Sequence, residues 1–427
     1  MSLALAYGRG TVESSRSFAP GAATVIAARE GDPPMRSAQL AATLEAAGLV
    51  DAFSRARKIT LVVNDQTRKG GMRVTLDAIS SLLARDDRRD VDLVIAYGLH
   101  GKQSDETTRA IYGDEILSRV HVHHHDGRDP RRLVSIGEVS PGAPVSIARE
   151  VACADLRVLV GAIGFHYYAG FSGGRKAVLP GVADEASIVR NHLRVLDPTG
   201  PGGRASGCGP ARLDGNPVSD EMFAAARLLD RGGGESFLAN AMIGGKDVVD
   251  FAAGLDVEGE YRAGCERFVA RNAVKLDPTS PFDGVIASAG GWPYDAALYQ
   301  AHKAYDNAFR AFASATLAGP ERPPLILLAR CDEGLGHPRF ASWLDLATRD
   351  EHYRELSRRY EIVGQTSLAV RDKAARSRTL AVTELDDQTC ARLGWEKCSS
   401  LDDALDRAGT VQRWAVIPGA GSVLPIA

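Results

Sequence analysis

Residues 155–192 read DLRVLVGAIGFHYYAGFSGGRKAVLPGVADEASIVRNH. The apolar run DLRVLVGAIG predicts a buried strand ending near Gly164. Beyond it come His166, two tyrosines and a turn with glycines at 170, 173 and 174. Glycine lets the backbone curl so that its N–H groups point inward, as in a phosphate cradle. The basic pair Arg175-Lys176 follows at once, and a short predicted helix leads to Asn191-His192. One segment therefore combines a candidate anion nest, an amine and two imidazoles.

Outward from this stretch, strand-like and helix-like segments alternate. KITLVVND (58–65) is a strand that stops at the polar turn DQTRKGG, and 72–85 has Leu and Ile at helical spacing. VDLVIAYG (91–98) is the next strand, ending at LHGKQSDE, with a helix through DETTRAIYG. A short strand, ATVIAARE, lies near the start, and residues 36–57 read as helical. Residues 193–216 are rich in Gly, Pro and Arg and predict a long surface excursion. A helix through EMFAAARLLD, strands around the glycine turn of SFLANAMIGGKDVVDFAAGL and another helix follow. A second unit starts near 275 with the strand FDGVIASA, a strong helix at YDAALYQAHKAYDNAFRAFA and the strand PPLILLARC. The pattern predicts an α/β protein of two Rossmann-like domains, 1–272 and 275–407, with the active site in the cleft between them. The apolar tail 408–427 is expected to return to the first domain, since it needs a core to cover it.

At 427 residues the chain is too long for one ordinary domain. Hydrophobic residues at 44% and charged residues at 25% are those of a globular protein, and a net charge of −3 gives no reason to expect nucleic acid or an anionic membrane as partner. MSLALAYGRGTVESS has neither a basic leader nor a spanning apolar run. The six cysteines are scattered without a CxxC and read as free thiols in a cytoplasmic protein.

In open α/β sheets, ligands bind beyond the carboxyl ends of the strands. Asp65-Gln66-Thr67-Arg68, His100 and His166 all fall at such ends, and Gln300 and Lys303 lie on the helix after FDGVIASA. Histidine is the acid or base natural to neutral pH, and a pair can serve the two faces of one carbon. Lys176 after Gly-Gly-Arg suits a phosphate contact or a covalent tether; GxxxxGK[ST] is absent, because Ala177 follows it. His192 suits a metal such as nickel or zinc only if other ligands join it. Arg68, Gln300 and Lys303 are candidate carboxylate binders. His121, His123, His124 and His125 alternate across a strand, which is poor geometry for chelation.

Taken together, Asp65-x-Thr67-Arg68, Gly98-x-His100, His166-x-x-x-Gly170-x-Ser172-Gly173-Gly174-x-Lys176, Asn191-His192 and Tyr299-Gln300-x-x-Lys303 resemble the lactate racemase family, the nickel-pincer-nucleotide racemases and epimerases, over nearly the whole chain. The resemblance implies nickel held by a pyridinium-3,5-bisthiocarboxylic acid mononucleotide, covalently attached through Lys176, with His192 as a further nickel ligand. It implies cofactor contacts from Asp65, Thr67, Ser172, Gly173, Gly174 and Arg175, and maturation by cofactor-synthesis proteins. It also implies that His100 and His166 trade the hydroxyl proton of a small 2-hydroxy acid while the C2 hydrogen leaves and returns as hydride. Arg68, Gln300 and Lys303 would hold that substrate. The family's lactate enzymes carry a tryptophan in the second domain, whereas the matching YEIVGQTSLAV (360–370) has none, and His302 lies beside the Gln300–Lys303 pair. Both departures point to a 2-hydroxy acid other than lactate, larger or more polar. Two other readings stand beside this one: a phosphate-ester transferase using the glycine loop without nickel, and a non-catalytic carrier of nickel or its cofactor.

Overall fold

The computed structural model describes residues 2–29, 32–68, 70–85, 90–197 and 204–426. The chain divides into two compact units. One comprises residues 30–195 and 206–269; the other comprises 1–29, 196–205 and 270–427. Each is built on a six-stranded sheet with helices between its strands, so the α/β class read from the sequence is what the chain adopts.

In the first unit the sheet runs Asp247–Gly254, Glu235–Gly244, Leu156–Ile163, Lys58–Asn64, Asp90–Ala96, His121–His124. All neighbours are parallel except the outermost pair, Glu235–Gly244 and Asp247–Gly254, which form the expected hairpin. The central strands are buried on both faces, which is why they read as nearly continuous apolar runs. Alternate side chains divide between two cores. Leu61, Val63, Leu93, Ile95, Val158 and Val160 pack with Leu40, Phe53, Leu76 and Ile79 from helices. On the other face, Ile163, Leu238 and Met242 pack with Phe171, Phe223, Tyr261 and Phe268. The region 36–57 is two helices, Ser37–Ala46 and Leu49–Arg55, because Gly48 between them takes a left-handed φ of 90°. From Lys58–Asn64 the chain builds outward through Asp90–Ala96 and His121–His124, then returns to place Leu156–Ile163 on the other side. The topological switch point thus lies between the carboxyl ends of Lys58–Asn64 and Leu156–Ile163.

The sheet of the second unit runs Trp395–Cys398, Arg378–Val382, Pro324–Leu328, Gly284–Ser288, Trp414–Ile417, Ala23–Val25, and every pairing is parallel. This corrects the expected boundaries. The tail does not return to the first unit: Trp414–Ile417 lies inside this sheet, and Leu424–Ile426 pairs with Ala273–Lys275. Residues 1–29 belong here too, since Ala23–Val25 forms the edge strand and Leu3 and Leu5 pack on Ile286, Ile326 and Leu328. The tail did need a core; the sheet starting at Gly284 supplies it. Of the predicted excursion, 198–203 lies outside the described residues; Asp197 and Arg204 bond within the second unit, to Tyr353 Oη and Asp306 respectively. Among the described residues, no helix is long and apolar enough to cross a membrane.

Candidate active site

Asp65 follows the strand Lys58–Asn64 directly and is 2% exposed. Its Oδ1 accepts hydrogen bonds from the Thr67 N–H at 3.1 Å and the Thr67 hydroxyl at 2.6 Å. Its Oδ2 lies 2.6 Å from Nδ1 of His100, which comes from the end of the neighbouring strand. A carboxylate can only accept, so the imidazole donates through Nδ1 and its Nε2 is left as the outward nitrogen. The loop carrying His100 is held from below. Gln103, which is buried, accepts the Gln66 N–H at 2.9 Å and donates to Thr108 Oγ1 at 3.1 Å. The Tyr97 hydroxyl accepts the Gln103 N–H at 3.2 Å and bonds His124 Nδ1 at 2.8 Å. Arg68 closes the short 3-10 turn after Asp65; its side chain lies outside the described residues.

The glycine turn is a closed structure. The Ser172 N–H donates to Gly164 O at 2.8 Å and the Lys176 N–H to Gly173 O at 3.1 Å. The Gly174 N–H donates to Asn240 Oδ1 at 2.7 Å, and the Ser172 hydroxyl to Ala162 O at 2.8 Å. These three amides are bonded within the protein and are not offered to an anion. Gly173 (φ 80°) and Gly174 (φ 52°) are required for another reason: a Cβ would lie 2.3 Å from Asn240 Oδ1 at the first and 2.4 Å from the Tyr261 ring at the second. Arg175 turns inward. It is 1% exposed, donates to Ala169 O at 2.7 Å and to the Tyr261 hydroxyl, and stacks over the Phe223 and Tyr261 rings. In this structure Ser172, Gly173, Gly174 and Arg175 shape the turn that carries Lys176, and Arg175 is a core residue rather than an anion contact.

Lys176, His166 and His192 meet around one side chain. Tyr168 is 2% exposed, and its ring lies 4.6 Å from the His166 ring and 5.6 Å from the His192 ring, edge to face in both cases. The Lys176 ammonium lies 5.9 Å from the centre of the same ring. His166 follows the strand Leu156–Ile163, and its Nδ1 accepts the Ala169 N–H at 3.3 Å. His192, 3% exposed, sits on the helix Glu185–Leu193, whose start is fixed by Asp184 accepting the Ser187 N–H. Two backbone hydrogen bonds in series tie this cluster to the His100 loop: Gly98 N–H to Gly181 O and Gly181 N–H to Lys176 O, each 2.9 Å. The structure thus brings Asp65, Thr67 and His100 together, and His166, Lys176 and His192 together, at the switch point of one sheet. No group of three or more His, Cys, Asp or Glu among the described residues is arranged to hold a metal by itself.

Gln300 and Lys303 belong to the other unit. Both lie on the helix Leu298–Phe309, and the Lys303 ammonium donates to Gln300 Oε1 at 3.2 Å. His302 between them points into the core; burial, and next the charge of Lys303, push its pKa down to about 3. One turn on, the buried Asp306 carboxylate meets Arg204 and Lys373 at 2.7 Å each. The region 360–370 does contact a tryptophan. Trp343, 1% exposed, donates to Glu361 at 2.9 Å and would clash with any side chain at Gly364. The histidine run 121–125 divides among separate partners, His123 with Asp92, His124 with Tyr97 and His125 with Ala183 O.

Tyr168, Gln103, Asn240 and Tyr261 had no role in the sequence reading. Tyr168 stands inside the decisive stretch and carried a signal, an aromatic among histidines. Asn240 and Tyr261 lie far away in sequence and carried none.

Residues 26–201 match the lactate racemase N-terminal domain. The chain is 28% identical over 298 residues to the lactate racemase of Thermoanaerobacterium thermosaccharolyticum, covering 69% of this chain and 65% of that protein. It is 29% identical over 289 residues to the lactate racemase of Lactiplantibacillus plantarum, covering 66% and 62%. The matched stretches therefore span under two-thirds of those relatives' own length. The fold is that of the lactate racemase apoprotein from T. thermosaccharolyticum, with a TM-score of 0.86, 23% identity and full coverage of both chains. A Thermotoga maritima protein solved by structural genomics superposes with a TM-score of 0.66 at 17% identity, covering 93% of this chain and 99% of that one. Residues 26–201 thus match a lactate racemase N-terminal domain, and the chain as a whole is similar to lactate racemases in sequence and fold.

Proposed function

We propose that the protein racemises or epimerises a 2-hydroxy acid with a nickel-pincer nucleotide tethered to Lys176. The observation that carries this reading is the Tyr168 ring, around which an amine, a buried imidazole and a second imidazole converge. The donor set fits the group. Lys176 would hold it covalently, and His192 would supply one nickel ligand, with the cofactor's own donors completing the set that no group of three protein ligands among the described residues provides. When bound, the cofactor supplies reversible two-electron chemistry at the substrate's C2.

The chain's own residues do the rest. His100 and His166 take and return the hydroxyl proton as the substrate passes through a planar 2-keto acid, each serving one face. Asp65 orients His100 through Nδ1. Arg68, Gln300 and Lys303 grip the carboxylate, and burial of the Tyr168 cluster keeps water from the keto acid. The lack of a tryptophan in 360–370, together with the full burial of Trp343, favours a substrate other than lactate. The phosphate-ester alternative is weakened because the amides it would use are bonded to Gly164, Asn240 and Gly173.

The test is intact mass and metal analysis of protein coproduced with cofactor-synthesis proteins, followed by chiral analysis over a panel of 2-hydroxy acids that includes lactate. A nucleotide-sized adduct on Lys176 with one nickel per chain is expected. No adduct under those conditions overturns the reading, and turnover of lactate alone overturns the substrate assignment.

A further inference from the structure

The two candidate bases are not wired alike. His100 Nδ1 faces a carboxylate oxygen at 2.6 Å, and that carboxylate is 2% exposed. His166 Nδ1 faces the backbone N–H of Ala169 at 3.3 Å. A carboxylate must accept and an amide N–H must donate, so the two contacts demand opposite tautomers. In its neutral form His100 carries its proton on Nδ1 and offers the Nε2 lone pair. In its neutral form His166 accepts at Nδ1 and carries its proton on Nε2.

The geometry points to a polarised pair: His100 rests as a base through Nε2 and His166 rests as an Nε2–H hydrogen-bond donor, with Asp65 the positioning residue that sets the difference. This rests on the racemase reading above and goes beyond it by assigning the starting proton inventory. Before any substrate arrives, one histidine can take the hydroxyl proton and the other can hydrogen-bond to the substrate oxygen. A substrate whose hydroxyl faces His100 reacts from the resting state: its O–H bond breaks and the proton passes to His100 Nε2, while the His166 Nε2–H donates a hydrogen bond to the substrate oxygen. The His100 imidazolium returns that proton when the hydroxyl re-forms, so the pair ends the turnover as it began. For the mirror substrate His166 must first move its proton from Nε2 to Nδ1, giving up the Ala169 contact, before it can act as a base. For a true racemisation the equilibrium constant is one, so kcat/KM is equal in the two directions. The asymmetry then falls on kcat and KM separately.

The surroundings of Asp65 provide a clean perturbation. The Thr67 N–H and hydroxyl both donate to Oδ1. In Asp65→Asn the amide oxygen stays at that position, and the amide NH₂ is directed at His100 Nδ1. The isosteric change therefore reverses the demand on the ring and forces the proton onto Nε2. An aspartate-to-asparagine change beside a catalytic histidine elsewhere lowers kcat by about 10⁴ through the wrong tautomer.

The experiment reads tautomers directly. Long-range ¹H–¹⁵N spectra of the histidine rings are recorded on protein without cofactor at about pH 8, above the usual imidazole range. His100→Gln and His166→Gln assign the two signals among the 10 histidines. Wild type is expected to show His100 protonated at Nδ1 and His166 at Nε2, with Asp65→Asn moving His100 to the Nε2–H form and leaving His166 unchanged. In loaded enzyme the same substitution lowers kcat by about 10²- to 10⁴-fold while the Lys176 adduct is retained. The same tautomer on both rings in wild type overturns the proposal, and so does a loss of activity in Asp65→Asn with the His100 pattern unmoved. Opposite tautomers in a loaded protein that racemises nothing would uphold the wiring and reject the racemase reading, so the two failures are distinguishable.

Discussion

Asn240 is the side chain on which the Lys176 turn depends, and removing it should loosen that turn measurably. Its Oδ1 takes the Gly174 N–H at 2.7 Å, and its Nδ2 donates to Leu159 O at 2.9 Å. Both Asn240 and Gly174 are buried. In Asn240→Ala the Gly174 amide loses its acceptor in a place that offers little water. A net hydrogen bond contributes about 1 kcal/mol, and a buried donor left unsatisfied costs about 1–3 kcal/mol. A local loss of about 2 kcal/mol corresponds to roughly 30-fold in the opening equilibrium. Hydrogen exchange followed by mass spectrometry, resolved over 171–178, reads that equilibrium at the Gly174 amide. Its exchange should accelerate by about 10- to 100-fold, while the strand Asp90–Ala96, two strands away from Leu156–Ile163, exchanges as in wild type. Asn240→Asp retains the acceptor and should preserve most of the Gly174 protection. Exchange at Gly174 within about threefold of wild type in Asn240→Ala would refute the claim that this bond closes the turn.

Arg175→Met should lower the thermal midpoint by roughly 5–10 °C, since it removes the buried guanidinium's bonds to the Tyr261 hydroxyl and the Ala169 carbonyl, which keep Ser172 O and the Phe171 N–H as partners. The protein that folds should still carry the Lys176 adduct by intact mass; loss of the adduct with the midpoint unchanged would restore Arg175 as a cofactor contact. Burial raises the Asp306 carboxyl, but Arg204, Lys373 and Arg310 together hold it well below the usual carboxylate range. Its contribution is complete above about pH 5 and is lost as pH falls below about 4, and Asp306→Asn should cost about 3–5 kcal/mol in urea unfolding at neutral pH. His302 works on a different limb. Burial and Lys303 push its pKa down to about 3, so below about pH 6.5 the unfolded chain binds a proton that the folded chain refuses. Stability should therefore fall toward acid by up to about 1.4 kcal/mol per pH unit from this group. His302→Gln should flatten that slope in part, the buried His352, pushed down to about 4, keeping the remainder.

Much of this was legible in the sequence because the signals were local. Lys58–Asn64, Asp90–Ala96 and Leu156–Ile163 are apolar runs closed by polar turns, and a parallel sheet directs those turns to one edge. Asp65, His100 and His166 were placed at that edge on this basis, and the structure sets them there, with Lys176 and His192 beside His166 around Tyr168. The glycine turn misled for a physical reason. A left-handed backbone and the absence of Cβ serve equally to let a ligand approach or to let Asn240 and Tyr261 approach, and the sequence is the same in both cases. Arg175 misled likewise, since a guanidinium beside a glycine turn reads as anion-binding until Tyr261 and Phe223 are seen to receive it. The domain boundary failed because the pairing of Ala23–Val25 with Trp414–Ile417 leaves no trace in either segment.

That edge strand also fixes an order of events during synthesis. Ala23 pairs with Trp414, so 391 positions (414 − 23) separate the partners. At about 5–20 residues per second, the ribosome needs roughly 20–80 s to make the second after the first. Throughout that interval Ala23–Val25 has no ladder, and Leu3 and Leu5 wait for Ile286, Ile326 and Val416 to exist. The first unit, drawn from residues 30–269 apart from 196–205, can complete its own sheet in the meantime. Leu3, Leu5 and Ala23–Val25 are thus made well before the partners they pack or pair with, and in that interval they form an apolar segment a chaperone could hold.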